Sequence, residues 1–454
     1  MADVATLEDI FNALENADFD FAAGLLKDNI FNQPDDPRAW QLLARYFIDI
    51  EMGAFAYPVA RAAAQVDPCW QNLMILGAAE GLMQKPEASE KSLRQALKKM
   101  KNESPKNKAM VFRLMASAGV QSFNFDRAEH YAKKSLAIES HHQAHSALGF
   151  AKLHQREWTE GWYHYSFQLG QNAMRVKHDY GLPDWNGEED ARLLVYGDQG
   201  LGDQIAYMSA IDKHFISQIN CHPKLEQLFR RSFPEVEVHG DMFKREYDWD
   251  LKATHQVSMA TAMRWSQMQR RGRYLEPLRE KVLQWSGLLA SKSRNVPRVG
   301  IAWTGGNVGS DGFRTRNLTL DQLEPILRMP FQFVSLEYKD RTEEIEAFKT
   351  RTGIEILDWH WATITNNYED TAALVESLDY VITVPTTAYH LGGALGKPTC
   401  VIVHDTPHFH EGTFGPSPWW SSVELIRRAD FKNTTLAVAK AAEWLFATQQ
   451  KEAV

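Results

Sequence analysis

Three loops in this 454-residue chain combine glycines with threonine, arginine and carboxylate side chains in patterns that suit phosphate and hydroxyl chemistry. The first reads Gly197-Asp-Gln-Gly-Leu-Gly-Asp203. Gly200 and Gly202 let backbone approach a ligand closely, and the helix start that follows offers free N–H groups to anions. Asp203 carries a carboxylate at the mouth of the sheet, where ligands bind; the structural alternative is a helix N-cap. The second loop, Trp303-Thr304-Gly305-Gly-Asn307, is followed by Arg314 and Arg316. Backbone amides and arginine forks together suit a diphosphate, with solvated surface arginines as the alternative. The third, Pro385-Thr386-Thr387-Ala-Tyr-His390, joins two hydroxyls to another fresh helix N-terminus. A fourth stretch holds His404, Asp405, His408, His410 and Glu411, but no carboxylate–histidine helix or cysteine pair frames it. The expectation is a ligand-facing loop without metal. Trp419 and Trp420 wall a sugar or base, or belong to the core.

These loops must be held by elements, and the sequence changes texture along its length. Residues 1–170 are rich in Ala, Leu, Lys and Glu, with apolar residues three and four apart. Trp40, Leu43, Ala44 and Phe47 share one helical face, Ala56, Ala60 and Ala63 form a small-residue stripe, and Pro68 closes the unit. That is the spacing of a tetratricopeptide repeat. Further units carry Leu73, Leu76, Gly77, Leu93 and Ala96, then Phe112, Met115, Ala116, Ala128, Ala132 and Ser135, then Leu148, Gly149, Gly161 and Tyr165. Residues 7–34 read as a degenerate first unit. The array is expected to stack as a solenoid with one concave binding wall, able also to mediate homo-oligomerisation.

Beyond a turn-rich linker at 180–187, short apolar runs alternate with helical stretches. Strands are expected at 193–196, 215–219 and 236–238, then at 298–303, 331–336, 380–384, 399–403 and 423–426, with helices between them. Such alternation implies parallel sheets with right-handed crossovers. Two series, each opening strand–glycine loop–helix, imply two Rossmann-like lobes facing across a cleft. The first loop is a poor nicotinamide fingerprint, because its glycine spacing is wrong and the second strand ends at Asn220-Cys221 rather than at an acidic residue.

Composition narrows the partners. Hydrophobic residues make up 44% and charged residues 24%, ordinary for globular material. A net charge of −8 lowers the expectation of a nucleic-acid surface. Cys69, Cys221 and Cys400 are far apart and lack metal-ligand spacing. No signal-peptide pattern and no membrane-length apolar run is present, so a cytoplasmic location is expected.

Taken in order, the 197–203 loop, Arg298-Val-Gly-Ile-Ala-Trp303, Phe333-Val-Ser-Leu336, Asp370-Thr-Ala-Ala-Leu374, His390-Leu-Gly-Gly-Ala-Leu-Gly396 and Ser417-Pro-Trp419 resemble bacterial tetratricopeptide-repeat proteins. The C-terminal half of those proteins is similar to the lipopolysaccharide heptosyltransferases, inverting enzymes of the GT-B fold. The layout also resembles protein O-GlcNAc transferases. The resemblance implies a repeat domain over 1–170, an acceptor-side lobe over 171–290 and a donor-side lobe over 291–454. It implies that Asp203 is the catalytic base and that the threonine loop before His390 holds the donor diphosphate. With the loop residues above, the expected donor set is Trp303, Thr304, Gly305, Asn307, Arg314, Arg316, Glu337, Thr386, Thr387 and His390. The chain departs from the family pattern at Pro385, Glu337 and Asp198. The function expected is metal-independent transfer of a sugar from a UDP-, ADP- or GDP-sugar to a hydroxyl of a protein, a glycan or lipid, or a modified nucleic-acid base, with no further cofactor. The alternatives are a non-catalytic binding scaffold and a sugar-nucleotide epimerase on the same fold.

Overall fold

The computed structural model describes Gly24 and residues 37–171, 175–244, 246–292, 296–305, 316–364, 367–431 and 433–452. Most of the degenerate first repeat, and both Asn307 and Arg314, lie outside these residues. The chain divides into two compact units, Met1–Gln155 and Arg156–Val454.

The first unit is helical and tetratricopeptide-like. Helices Pro37–Asp49, Gly53–Val66, Trp70–Leu82, Pro86–Lys99, Pro105–Gln121, Phe125–Leu136 and His142–His154 follow one another through short connections, and neighbours pack together. Small residues sit where helices cross. Ala56, Ala60 and Ala63 are fully buried. A side chain at Gly77 would put its Cβ 2.6 Å from Leu93 Cγ, and one at Gly119 would lie 2.9 Å from Ala128 Cα. Three hairpin turns use a left-handed residue, Glu51, Gln84 and Phe123. After Phe123, Asn124 caps the next helix by accepting from Arg127 N at 3.1 Å, satisfying one of the amides a helix start leaves open.

The second unit opens with the helix Trp158–Tyr165, earlier than the boundary expected at 170. The reason is Trp162. Its fully buried ring meets Tyr165, Tyr207, Phe409 and Trp419 at 5.4–6.3 Å, all within this unit.

Two parallel sheets follow. The first has the order β3-β2-β1-β4, from β1 (Leu193–Tyr196), β2 (Ile216–Asn220), β3 (Glu237–His239) and β4 (His255–Ser258). The second runs β10-β9-β8-β5-β6-β7, from β5 (Arg298–Ala302), β6 (Gln332–Ser335), β7 (Ile356–Leu357), β8 (Tyr380–Thr383), β9 (Thr399–Val403) and β10 (Val423–Arg427). Strands buried on both faces explain the unbroken apolar runs, as in β1, β8 and β9. Val299, Ile301, Phe333, Ile382 and Ile402 pack with Leu323, Val438 and Leu445 of the flanking helices. The second sheet has the doubly wound order, reversing between β5 and β8; the first reverses between β1 and β4. Ligands in such sheets bind beyond the carboxyl ends of the strands at the reversal. The three loops read from the sequence leave β1, β5 and β8, so the topology brings them to those positions.

Among the described residues, no helix is long and apolar enough to cross a membrane. Cys221 and Cys400 are buried, Cys69 is half-buried, and all three are free thiols.

Candidate functional site

After β1 the chain turns through 197–200 into the helix Leu201–Met208. The turn is braced from inside: Gln204 Nε2 donates to Gln199 O at 2.7 Å, and Gln204 Oε1 accepts from His222 N at 2.9 Å. A Cβ at Gly197 would strike that same Gln204 side chain at 2.7 Å. Asp198 points away from the cleft into a buried ion pair, with Arg175 Nη2 at 2.7 Å and Nε at 2.9 Å. Arg175 also donates to Tyr165 O at 2.8 Å, tying the loop to the helix that precedes the sheet. Nothing in the polar run around Arg175 marked it for this task.

The two neighbouring glycines do different things. Gly200 faces open space apart from Asp203 Oδ2, 3.3 Å from where its Cβ would lie. At Gly202 a Cβ would sit 3.2 Å from His390 Cδ2 and 3.4 Å from Thr387 Cα. Gly202 therefore lets two helices approach, while Gly200 leaves the loop open. The N-cap of the helix is Gly200, with no side-chain cap. Asp203 is thus in the first turn and its carboxylate is turned across the cleft, with Oδ1 3.0 Å from His410 Nε2.

The opposite wall is built by the second sheet. Glu337, 1% exposed, accepts from Trp303 N at 2.6 Å and Thr304 N at 2.7 Å, and from the Thr304 hydroxyl. Burial pushes its carboxyl up, with the Thr304 and Trp303 hydrogen bonds opposing. Glu337 thus holds the loop's conformation from behind. The Trp303 ring is buried and donates to Glu344 Oε1 at 3.1 Å. Gly305 N donates to Asn317 Oδ1 at 2.8 Å, and a Cβ on Gly305 would meet Thr386 Cγ2 at 2.9 Å. That contact locks the loop after β5 against the loop after β8.

After β8, Thr386 caps the helix Thr387–Ala394, its Oγ1 accepting from Ala388 N at 3.2 Å. His390, on that helix, accepts at Nδ1 from Trp420 Nε1 at 3.2 Å. Burial, aided by His410, drives its pKa well below the ordinary histidine value, so it is neutral. Arg316 extends Nη1 to 3.4 Å from Pro385 O. Glu411 is buried beside it, its carboxyl raised by desolvation and lowered in part by His410 and Arg316. Trp419 and Trp420 are 1% and 0% exposed and prove to be core.

These walls enclose a cleft of about 440 Å³ on which Asp203, Thr304, Arg316, Thr386, Thr387 and His410 all lie, with Gly200, Gly202 and His390 alongside. A second cavity, about 840 Å³, shares Gln199, Gly200 and Leu201 with it. Tyr180, Phe243, Tyr247, His178 and His222 line that cavity. Burial holds both imidazoles below the ordinary value, His222 at about 4. Among the described residues, no group of three or more histidine, cysteine or carboxylate side chains is arranged to hold a metal. The sequence singled out the histidine stretch at 404–411 but not the pairing of His410 with Asp203.

No protein-family model matches the chain. Protein FlbA of Caulobacter vibrioides is 27% identical over 295 residues, which are 59% of this chain and 49% of that protein. The chain thus spans about half the length of this curated relative. Among solved structures, MamA is 17% identical, with 36% of this chain and 92% of MamA covered and a TM-score of 0.30. PilW, a type IV pilus biogenesis factor, is 18% identical, covering 35% and 73% of the two chains with a TM-score of 0.32. A thermophilic TPR protein of Thermus thermophilus is 20% identical, covering 36% and 87% with a TM-score of 0.31.

Proposed function

We propose that the 156–454 unit is a metal-independent, inverting glycosyltransferase of GT-B type that moves a sugar from a nucleoside-diphosphate sugar to an acceptor hydroxyl. One observation carries the reading: a carboxylate from one parallel sheet and a threonine-capped helix N-terminus with an arginine from the other share a single cleft. In the reaction, the acceptor oxygen attacks the anomeric carbon while Asp203 takes its proton, and the bond from that carbon to the diphosphate breaks. Charge grows on the leaving diphosphate. The Thr387 amide and hydroxyl at the start of the helix and the Arg316 guanidinium are suited to receive it. The acceptor enters from the second cavity, whose aromatic faces and neutral imidazoles suit a polyhydroxyl or polar side-chain group. The helical unit of 37–155 selects the acceptor, as repeat arrays recognise extended partners on one wall.

The rival reading is a binding scaffold without turnover. Its support is Glu411, a buried carboxyl on the same cleft as Arg316, together with Pro385, whose carbonyl takes up Arg316 Nη1. A thermal-shift panel of UDP, ADP, GDP and CDP, followed by hydrolysis and transfer assays with the matching sugar nucleotides, separates the two. Ligand at about 100 times its Kd stabilises the native state by about 2.7 kcal/mol, an easily measured shift. One preferred nucleotide with turnover supports the transferase; a preferred nucleotide without turnover supports the scaffold. No shift with any of the four, and no turnover, sinks both.

A further inference from the structure

We propose that His410 is a positioning residue that orients the Asp203 carboxylate, so that the base is assembled by side chains from both sheets. The inference rests on the glycosyl-transfer reading and adds to it a residue from the donor-side sheet that acts on the base.

The helix N-cap is Gly200, which makes no side-chain bond, so the Asp203 carboxylate is not held as a cap. The Asp203 side chain is 31% exposed, and the contact that anchors it is His410 Nε2, 3.0 Å from Oδ1. The imidazole is held on several sides. It stacks on Trp419 at 5.1 Å, on His408 at 5.0 Å and on Phe409 at 4.7 Å, and meets His390 edge-on at 5.1 Å. Tyr207 Oη lies 3.5 Å from the same Nε2.

The tautomer follows from what the other nitrogen lacks. His410 Nδ1 is buried and has no hydrogen-bond partner among the described residues. A proton there would be an orphan buried donor, a costlier defect than a bare lone pair. The proton therefore sits on Nε2 and is donated to Asp203 Oδ1. That leaves Oδ2 on the side of Gly200, where the glycine adds no side chain to cover it. In the transfer step the acceptor's proton passes to Oδ2, and His410 keeps its own proton throughout. What donation to Oδ1 contributes is a fixed lone-pair direction.

The test uses two variants of the full chain. His410→Phe keeps a ring against Trp419 and removes the donor. His410→Gln keeps an amide donor at similar reach. In His410→Phe, kcat is expected to fall about 100-fold, the cost of a misplaced reacting group, with donor KM and nucleotide Kd unchanged. His410→Gln should regain most of kcat, and His410→Phe on an Asp203→Asn background should lose nothing further. Full turnover in His410→Phe, equal loss in both variants, or a further loss on the Asp203→Asn background would overturn the proposal. An inactive wild type would defeat the transferase reading instead. In that case the imidazole ¹⁵N spectrum decides: His410 should show protonated Nε2 and bare Nδ1, and Asp203→Ala should shift Nε2. The opposite tautomer, or no shift, overturns the positioning role whatever the activity.

Discussion

Replacing Glu337 tests whether the loop after β5 is a scaffold or a ligand contact. Its carboxylate receives two backbone amides and one hydroxyl while 1% exposed. Glu337→Gln keeps one oxygen for the Trp303 and Thr304 amides and turns the other position into an NH₂, to which the Thr304 hydroxyl can reverse its role. Glu337→Ala leaves two buried amides without an acceptor. At about 1–3 kcal/mol for each unsatisfied buried donor, the alanine variant should cost about 2–6 kcal/mol of local stability. The glutamine variant should sit within about 1 kcal/mol of wild type near neutral pH, the size of a single ordinary hydrogen bond. The pH dependence has a definite sign. Burial raises the Glu337 carboxyl above the ordinary 4.5. Its stabilising effect is therefore complete below that value and lost as pH rises through the raised folded-state pKa. Glu337→Gln carries no such titration, so its stability relative to wild type should improve from pH 4 toward neutrality. Hydrogen exchange over residues 298–305 reads the local opening directly, which matters in a chain of two units where one global unfolding energy is ill-defined. Two results would refute the reasoning. One is a glutamine variant as loosened as the alanine variant. The other is a glutamine variant with wild-type exchange but no nucleotide binding, which would make Glu337 a ligand contact.

Three further outcomes are expected. Asp203→Asn should melt like wild type, since the helix is capped by Gly200, while transfer falls about 10²–10⁴-fold, the worth of a positioned general base; full turnover would remove Asp203 from the chemistry. Arg316→Ala should weaken nucleoside-diphosphate binding by about 1.5–3 kcal/mol, the range for a charged hydrogen-bond partner, and unchanged affinity in calorimetry would show that the arginine serves only the Pro385 carbonyl. EDTA should leave transfer unaltered; loss of activity restored by Mg²⁺ or Mn²⁺ would mean that a cation, rather than helix amides and Arg316, takes the leaving-group charge.

Much of this was legible because burial and chain chemistry coincide. Strands such as Leu193–Tyr196 and Thr399–Val403 are apolar on both faces, so their residue types alone mark them. The glycine loops follow them directly. Strand β4, His255–Ser258, was missed because its residues look like a loop. Gln256 is buried nonetheless, and its side chain accepts from Tyr180 N at 2.8 Å and donates to Asp184 at 3.0 Å, stitching the linker to the sheet. Trp419 and Trp420 had two open readings because a buried aromatic and a ligand wall look alike in sequence. Gly393 distinguishes them: a Cβ there would lie 2.2 Å from Trp420 Cγ, so the helix is shaved to admit the ring. Long-range pairs such as Asp198 with Arg175, or Asp203 with His410, leave no local signal.

The division of labour between the sheets sets what the cleft can do. A base needs a lone pair aimed at the acceptor, and a leaving diphosphate needs donors aimed the other way. A helix that supplied both would have to point its dipole at both charges. On the proposed reading the base is Asp203, in the first turn of Leu201–Met208, and the anion site is the start of Thr387–Ala394. The two helices touch at Gly202, so their distance is fixed by contact rather than by a hinge. Further bonds pin the same arrangement. Tyr274 donates its hydroxyl to Ile205 O at 2.8 Å and its amide to Ala394 O at 2.9 Å, one residue reaching both helices. Arg231 grips Glu369 through bonds of 3.0–3.1 Å. Such a frame favours chemistry in which geometry is set before the ligand arrives, so that binding energy goes to the reacting bond rather than to closing the cleft.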